Sequence, residues 1–241
     1  MKKLVVMIFL ILFLGGCGKD DDKLVMVTEA GFAPYEYYEN GEIVGVDIDI
    51  AKEIAKYLGK ELVVKDVAFD SIINEVKTGK ADFGAAGISY NEERAKQVDF
   101  TINYSTSKQI VVVKEDNIKI NINDLDNLKI AVQLGSVGDT YVTKNYPNAE
   151  IVRQKKYLAA IQDLLKNKVD CVVMDELPAK EILKNNAGLK ILNQELFSDT
   201  YGMVVKKGNK ELLDAINKVL EDLVEEGKIN EFIINHLEGE E

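Results

Sequence analysis

The stretch LVVKDVAFDSIINEVKTGKADFGAAGIS, residues 62–89, decides the fold class. It opens on a β-branched run, Leu62 to Val67, that suits a strand. Asp70 to Thr78 reads as a helix, with Asp70 as its N-cap and Gly79 as the residue that stops it. Ala81 to Ala86 is a second strand, small and apolar, that ends at Gly87. A strand, a helix and a buried strand in such close succession form the unit that joins parallel neighbours in an α/β sheet.

The same alternation extends in both directions. Upstream, Leu24 to Thr28 reads as a strand, and Val46 to Leu58 carries Val46, Ile50, Ile54 and Leu58 on one helical stripe before Gly59. Downstream, Gln109 to Val113 is a strand, after which a second cycle begins. Leu128–Val132, Glu150–Arg153 and Val169–Met174 are its strands, and Val137–Asn145, Leu158–Lys166 and Pro178–Asn185 its helices. Met203–Lys206 then adds a strand. Glu211–Glu226 adds an amphipathic helix with Leu212, Ile216, Val219, Leu220 and Leu223 on one face. A second unit closed by an extra strand and helix implies that the C-terminus returns to the first.

The 241 residues are 46% hydrophobic and 29% charged, which excludes a disordered or fibrous chain and allows one large domain or two modest ones. With 30 basic and 41 acidic residues, the net charge of −11 argues against a nucleic-acid binder, whose phosphate contacts need a dense basic surface. Three prolines and no Ser/Gly tract leave no flexible linker, so two lobes would be joined by ordered strands. At the N-terminus, Lys2 and Lys3 precede the apolar run Leu4 to Leu14, then Gly15, Gly16, Cys17 and the acidic Asp20 to Asp22. This is the order of an export signal, and the run is short of the about 20 residues of a permanent membrane helix. Cys171, alone in an apolar run, reads as a core residue without a disulfide partner.

In open parallel sheets ligands collect where strands end and helix N-termini point into a crevice. Glu29, Phe32 and Tyr35 follow the first strand, and Gly87, Ser89 and Arg94 the third. In the second unit, Gln133, Gly135 and Ser136 follow one strand and Asp175 another. Asn91 reads as a helix cap that places Arg94 in the first turn, where a cation is unfavourable to the helix dipole. Arg94 suits a bound carboxylate through a bidentate pair, or else is a surface residue paired with Glu92 or Asp99. Asp175 is either the N-cap of the helix at Pro178 or a receptor for a cation. Together, Arg94 in one unit and Asp175 in the other describe a clamp for an α-amino acid.

Several segments carry a resemblance. They are VTEAGFAPYEY (27–37), GVDIDIA (45–51), AFDSII (68–73), GKAD (79–82), AGIS (86–89), ERAKQVDF (93–100), VQLGS (132–136) and YGMVVKKG (201–208). From Lys23 to the C-terminus the chain resembles the bacterial extracellular solute-binding proteins of polar amino acid ABC importers. The resemblance implies a two-lobed, type II periplasmic-binding-protein-like α/β fold with two parallel-rich sheets. Its hinge crossings would lie near Tyr104–Lys108 and Asp199–Met203. Lobe 1 would then be residues 24–107 plus 202–241, and lobe 2 residues 108–201. The ligand carboxylate would go to Arg94, with Ser89 and backbone amides near Ser136, and its ammonium to Asp175, the Gly87 carbonyl and Ser89. Phe32 and Phe69 would stack on the ligand side chain. Where the family often has two threonines, this chain has Ser136 and Val137, so one hydroxyl is lost. The partners implied are an L-amino acid and a membrane permease with its ATPase, with no cofactor, no metal and no oligomer. Leu14 to Cys17 resembles a lipobox, which implies a signal peptide over 1–16, a lipid-bearing Cys17 and a tether over 17–23 on the extracytoplasmic side of the cell membrane.

Side-chain selection is expected to depend on Glu29, Phe32, Phe69, Gln133 and Met174. An acid beside aromatic faces suits a cationic side chain, and no Lys or Arg is expected at these positions, so arginine or lysine is favoured. Glu29 could instead accept from an amide, which leaves glutamine open. Cyclohexadienyl dehydratases share the fold implied here, and a ligand-binding sensor is a third reading. The single His236 beside an acidic tail is a poor catalytic group.

Overall fold

A computed structural model describes residues 22–238; the stretch expected to be a signal peptide, residues 1–16, and Cys17 lie outside the described residues. The first lobe begins with β1 (Lys23–Thr28), a small hairpin of β2 (Tyr37–Glu39) and β3 (Glu42–Val44), α1 (Val46–Leu58) and β4 (Glu61–Asp66). A 3-10 turn (Phe69–Ser71) leads into α2 (Ile72–Lys77), β5 (Phe83–Ser89), α3 (Glu92–Ala95) and β6 (Val98–Phe100). The chain crosses on β7 (Ser105–Lys114) into β8 (Lys129–Gln133), α4 (Val137–Asn145), β9 (Glu150–Gln154) and α5 (Tyr157–Leu165). There follow β10 (Cys171–Asp175), α6 (Glu176–Lys184) and β11 (Leu189–Ile191), before β12 (Phe197–Lys206) crosses back to α7 (Lys210–Glu225) and α8 (Lys228–Glu238).

The strands run in the order β4-β1-β5-β12-β7-β10-β8-β9, with β6 beside β12 and β11 beside β7. Within the first lobe β1 lies parallel to β4 and β5, and within the second β8 lies parallel to β9 and β10. The β-α-β connections require this, because a helix must carry the chain back to the same edge. The two crossing strands pair antiparallel from Gln109↔Phe197 to Ser105↔Tyr201, and β12 then continues along β5. Continuous strands therefore join the two lobes.

Burial follows the apolar pattern. All seven residues of β5 and all five of β10 are buried, as central strands covered on both faces must be. Ile216, Val219, Leu220 and Leu223 are the buried face of α7, which packs with α8 on α1 of the first lobe. Cys171 is free and buried, and burial pushes its thiol up to about 12. Among the described residues no helix is long and apolar enough to cross a membrane.

Two local expectations change. Asp70 is not an N-cap: the chain first makes the 3-10 turn, with the Ser71 amide on the Ala68 carbonyl at 2.8 Å, and α2 starts only at Ile72. Asp70 instead approaches Gly135 of the second lobe. The helix expected at Pro178 starts at Glu176, so proline stands inside its first turn, where a missing N–H costs nothing.

Candidate functional site

The ends of β1, β5, β8 and β10 converge on a narrow cavity between the lobes. Glu29, Phe32, Phe69, Gly87, Ser89, Arg94, Gln133, Ser136, Val137 and Asp175 all line it, joined by Glu36, Ala86 and Tyr157. Met174 does not reach it: strand alternation turns it into the core, where it is fully buried, and leaves Asp175 facing the cavity.

Arg94 forms the polar wall of the first lobe. Asn91 accepts from the Arg94 amide at 2.8 Å and so fixes the short α3. The guanidinium donates to the Ser89 carbonyl at 2.6 Å and, across the cleft, to the Gly135 carbonyl at 2.8 Å. It also lies 5.4 Å from the centre of the Phe69 ring, a cation-π arrangement. Arg94 is 7% exposed. Burial pulls its pKa down to about 10, partly offset first by Asp199 and then by other acids, so it remains cationic at neutral pH. The surface pairing with Glu92 or Asp99 is not formed: Asp99 holds Lys207 and the Gly208 amide, both at 2.7 Å. Ser89 Oγ donates to Asp199 at 2.5 Å, and burial followed by the Asp175 charge raises Asp199 to about 6.

Ser136 caps α4, its hydroxyl accepting from the Asp139 amide at 3.0 Å. Its own amide donates to the Gln133 carbonyl at 3.1 Å, and the Gly135 amide to Asp139 at 3.1 Å. The loop that faces Arg94 is thus held by its own hydrogen bonds, with Asp139 pinned in turn by Arg153.

Asp175 stands at the N-cap position of α6 but makes no cap hydrogen bond. Its carboxylate turns to the cavity and accepts from Ser107 at 2.6 Å and from Tyr201 at 2.5 Å. Burial raises its pKa, against the pull of these hydroxyls. Opposite, Gly87 adopts φ +53°, and a Cβ there would come within 2.7 Å of the Phe32 ring. Glycine is required both for the left-handed conformation and for the close approach of the ring.

Phe32 stacks on Tyr35 (5.9 Å, 30°) and on Tyr157 of the second lobe (5.8 Å, 25°). Beside this aromatic wall Glu29 is 1% exposed. Gln133 Nε2 donates to Glu29 Oε2 at 3.1 Å, and Lys156 Nζ lies 2.9 Å from Oε1. Burial raises the pKa of Glu29, and Lys156 opposes the rise. None of the five positions expected to select the side chain is basic, but Lys156 reaches Glu29 from the start of α5. The signal was available, because Lys156 and Tyr157 come one residue after β9, another strand that ends at the cleft. Glu36, fully buried with its pKa pushed well up by burial and by Asp47, is a lining acid that the sequence reading did not assign to the site.

A family model for the bacterial extracellular solute-binding proteins, family 3, matches residues 24–238. ABC transporter arginine-binding protein 1 of Escherichia coli K12 is 32% identical over 233 residues, covering 94% of this chain and 95% of that protein. Among solved structures, an ancestral arginine-binding protein bound to arginine is 40% identical with a TM-score of 0.84, covering 89% of this chain and 98% of the other. An ancestral arginine-binding protein bound to glutamine is 39% identical at the same TM-score, covering 91% and 99%. The two-lobed α/β architecture is common to them, and the chain belongs to the bacterial extracellular solute-binding proteins of family 3.

Proposed function

We propose that this protein is the capture component of an amino acid ABC importer. It holds an L-amino acid between its lobes, arginine or lysine by preference, and delivers it to a membrane permease driven by its ATPase. The observation that carries this reading is the pair Arg94 and Asp175: two buried groups of opposite sign, one from each lobe, lining one cavity. A zwitterion satisfies both ends of that pair only when the lobes are together. Binding then shifts an open-closed equilibrium by the ligand's differential affinity for the two states. The moving units are residues 24–107 with 202–241 and residues 108–201, hinged on the paired segments of β7 and β12. The protein carries out no chemistry on its ligand, and the lipobox-like Leu14 to Cys17 tethers it to the outer face of the cell membrane.

Glu29 and the Phe32–Tyr157 wall favour a cationic side chain by charge and by cation-π contact. Glutamine is a second reading, favoured by Lys156, which already balances part of the Glu29 charge. A thermal-shift screen of the processed protein against the twenty amino acids tests the proposal, since a ligand bound only by the native state raises the melting temperature. Arginine and lysine are expected to give the largest shifts. A screen in which no amino acid stabilises the protein would overturn it.

A further inference from the structure

The contacts of Lys156 go beyond closure of the cleft. Glu29 has a side chain only 2% exposed, and both of its oxygens are met from the second lobe. The Lys156 side chain is 44% exposed, and its ammonium lies 2.9 Å from Glu29 and 3.6 Å from Asp66. Asp66 is itself fixed, accepting from the Ala30 amide at 2.9 Å and from the Tyr38 hydroxyl at 3.3 Å. Lys156 occupies the N-cap position of α5 and forms no cap there, and a cation at that end opposes the helix dipole. Two carboxylates on the facing lobe account for its placement. Gln133 holds the turn in register by donating to the Lys155 carbonyl at 3.0 Å as well as to Glu29.

The charges at this end are two carboxylates and one ammonium. A cationic ligand side chain on Glu29 brings the count to two and two, with Lys156 left to Asp66. A neutral side chain leaves Lys156 bridging both acids. In neither case is the buried Glu29 carboxylate left without a cation, a state that a low-dielectric site strongly disfavours.

We infer that Lys156 is a specificity-determining residue, an exchangeable counter-ion that Glu29 shares with the ligand side chain and that Asp66 receives when a cationic ligand binds. The inference rests on the proposed reading of Glu29 as part of the side-chain subsite. Lys156 accordingly widens the ligand range, since it lets a neutral polar side chain occupy a site whose buried acid would otherwise demand a cation.

The test is calorimetric titration of the processed protein, wild type and variants, with arginine and with glutamine. Lys156→Met should weaken glutamine by about tenfold or more while leaving arginine unchanged or tighter, because a competing cation is gone. Lys156→Gln provides a second uncharged side chain at this half-exposed position. Asp66→Asn should do the reverse, weakening arginine more than glutamine, because the displaced ammonium has lost its second partner. In a Glu29→Gln background, Lys156→Met should no longer change the arginine-to-glutamine ratio. Equal losses for both ligands in Lys156→Met would make Lys156 a closing contact with no part in selection and would overturn the inference, as would a larger loss for arginine. Wild type that binds neither ligand would overturn the inference, and the proposed function falls with it only if no other amino acid stabilises the protein. A wild type that binds while the ratio stays fixed in every variant removes only the counter-ion role.

Discussion

Replacing Asp175 with asparagine separates what this residue does for the fold from what it does for a ligand. The carboxylate is 4% exposed and is held by two hydroxyls, Ser107 at 2.6 Å and Tyr201 at 2.5 Å. The asparagine carbonyl oxygen has the same shape and can accept from both. Removing the charge also relieves the burial that raises the Asp175 pKa, so the ligand-free melting temperature should hold or rise. The ligand ammonium, by contrast, loses its counter-charge inside a closed cavity. Breaking a buried charge pair from one side costs about 3–5 kcal/mol, or roughly two to four orders of magnitude in Kd. Titration calorimetry with arginine, alongside melting curves without ligand, reads both quantities. An Asp175→Asn protein that melts like wild type and binds arginine within about threefold of wild type would refute the assignment of Asp175 to the ligand.

Arg94→Lys keeps the charge but not the planar fork, and should weaken arginine binding by about a hundredfold in the same titration while the fold survives. Gly87→Ala should both lower the melting temperature and remove binding, since φ +53° and the 2.7 Å approach to Phe32 leave no room for a methyl group. Asp199 has a folded pKa raised to about 6 from the ordinary carboxylate value, so between about pH 4 and 6 the folded state keeps a proton that the unfolded state releases. Its stabilising contribution is therefore complete below about pH 4 and is lost as pH rises through 6. The melting temperature of Asp199→Asn minus that of wild type should increase across that window; a flat difference would contradict the assignment.

The elements that sequence periodicity located well are those whose stability is local and whose ends are punctuated. Val46–Leu58 has its apolar stripe, a terminating Gly59 in the left-handed conformation and seven buried residues, and its bounds match the reading from sequence. The hairpin of β2 and β3 was missed although Asn40 and Gly41 both take positive φ, because three-residue strands are too short to show alternation. Asp70 and Asp175 show the other limit. Both sit where local rules place a cap, and neither caps: Asp175 turns its carboxylate to the cavity, and Asp70 lies in a 3-10 turn that comes before α2. Arg94 and Asp175 were legible as a pair because Arg94 lies in the short helix that follows β5 and Asp175 ends β10, each at the C-terminal end of a strand in its lobe. Lys156 was legible only by its place just after β9, and its pairing with Glu29 and Asp66 was not, since both belong to the other lobe and no local pattern encodes a contact across the cleft.

The most direct test of the account is a crystal structure of the processed protein with arginine. The account predicts one arginine between the lobes, with its carboxylate on the Arg94 guanidinium, its ammonium on Asp175 and its side chain along Phe32 toward Glu29. An arginine bound outside this cavity, or one that touches only a single lobe, would contradict it.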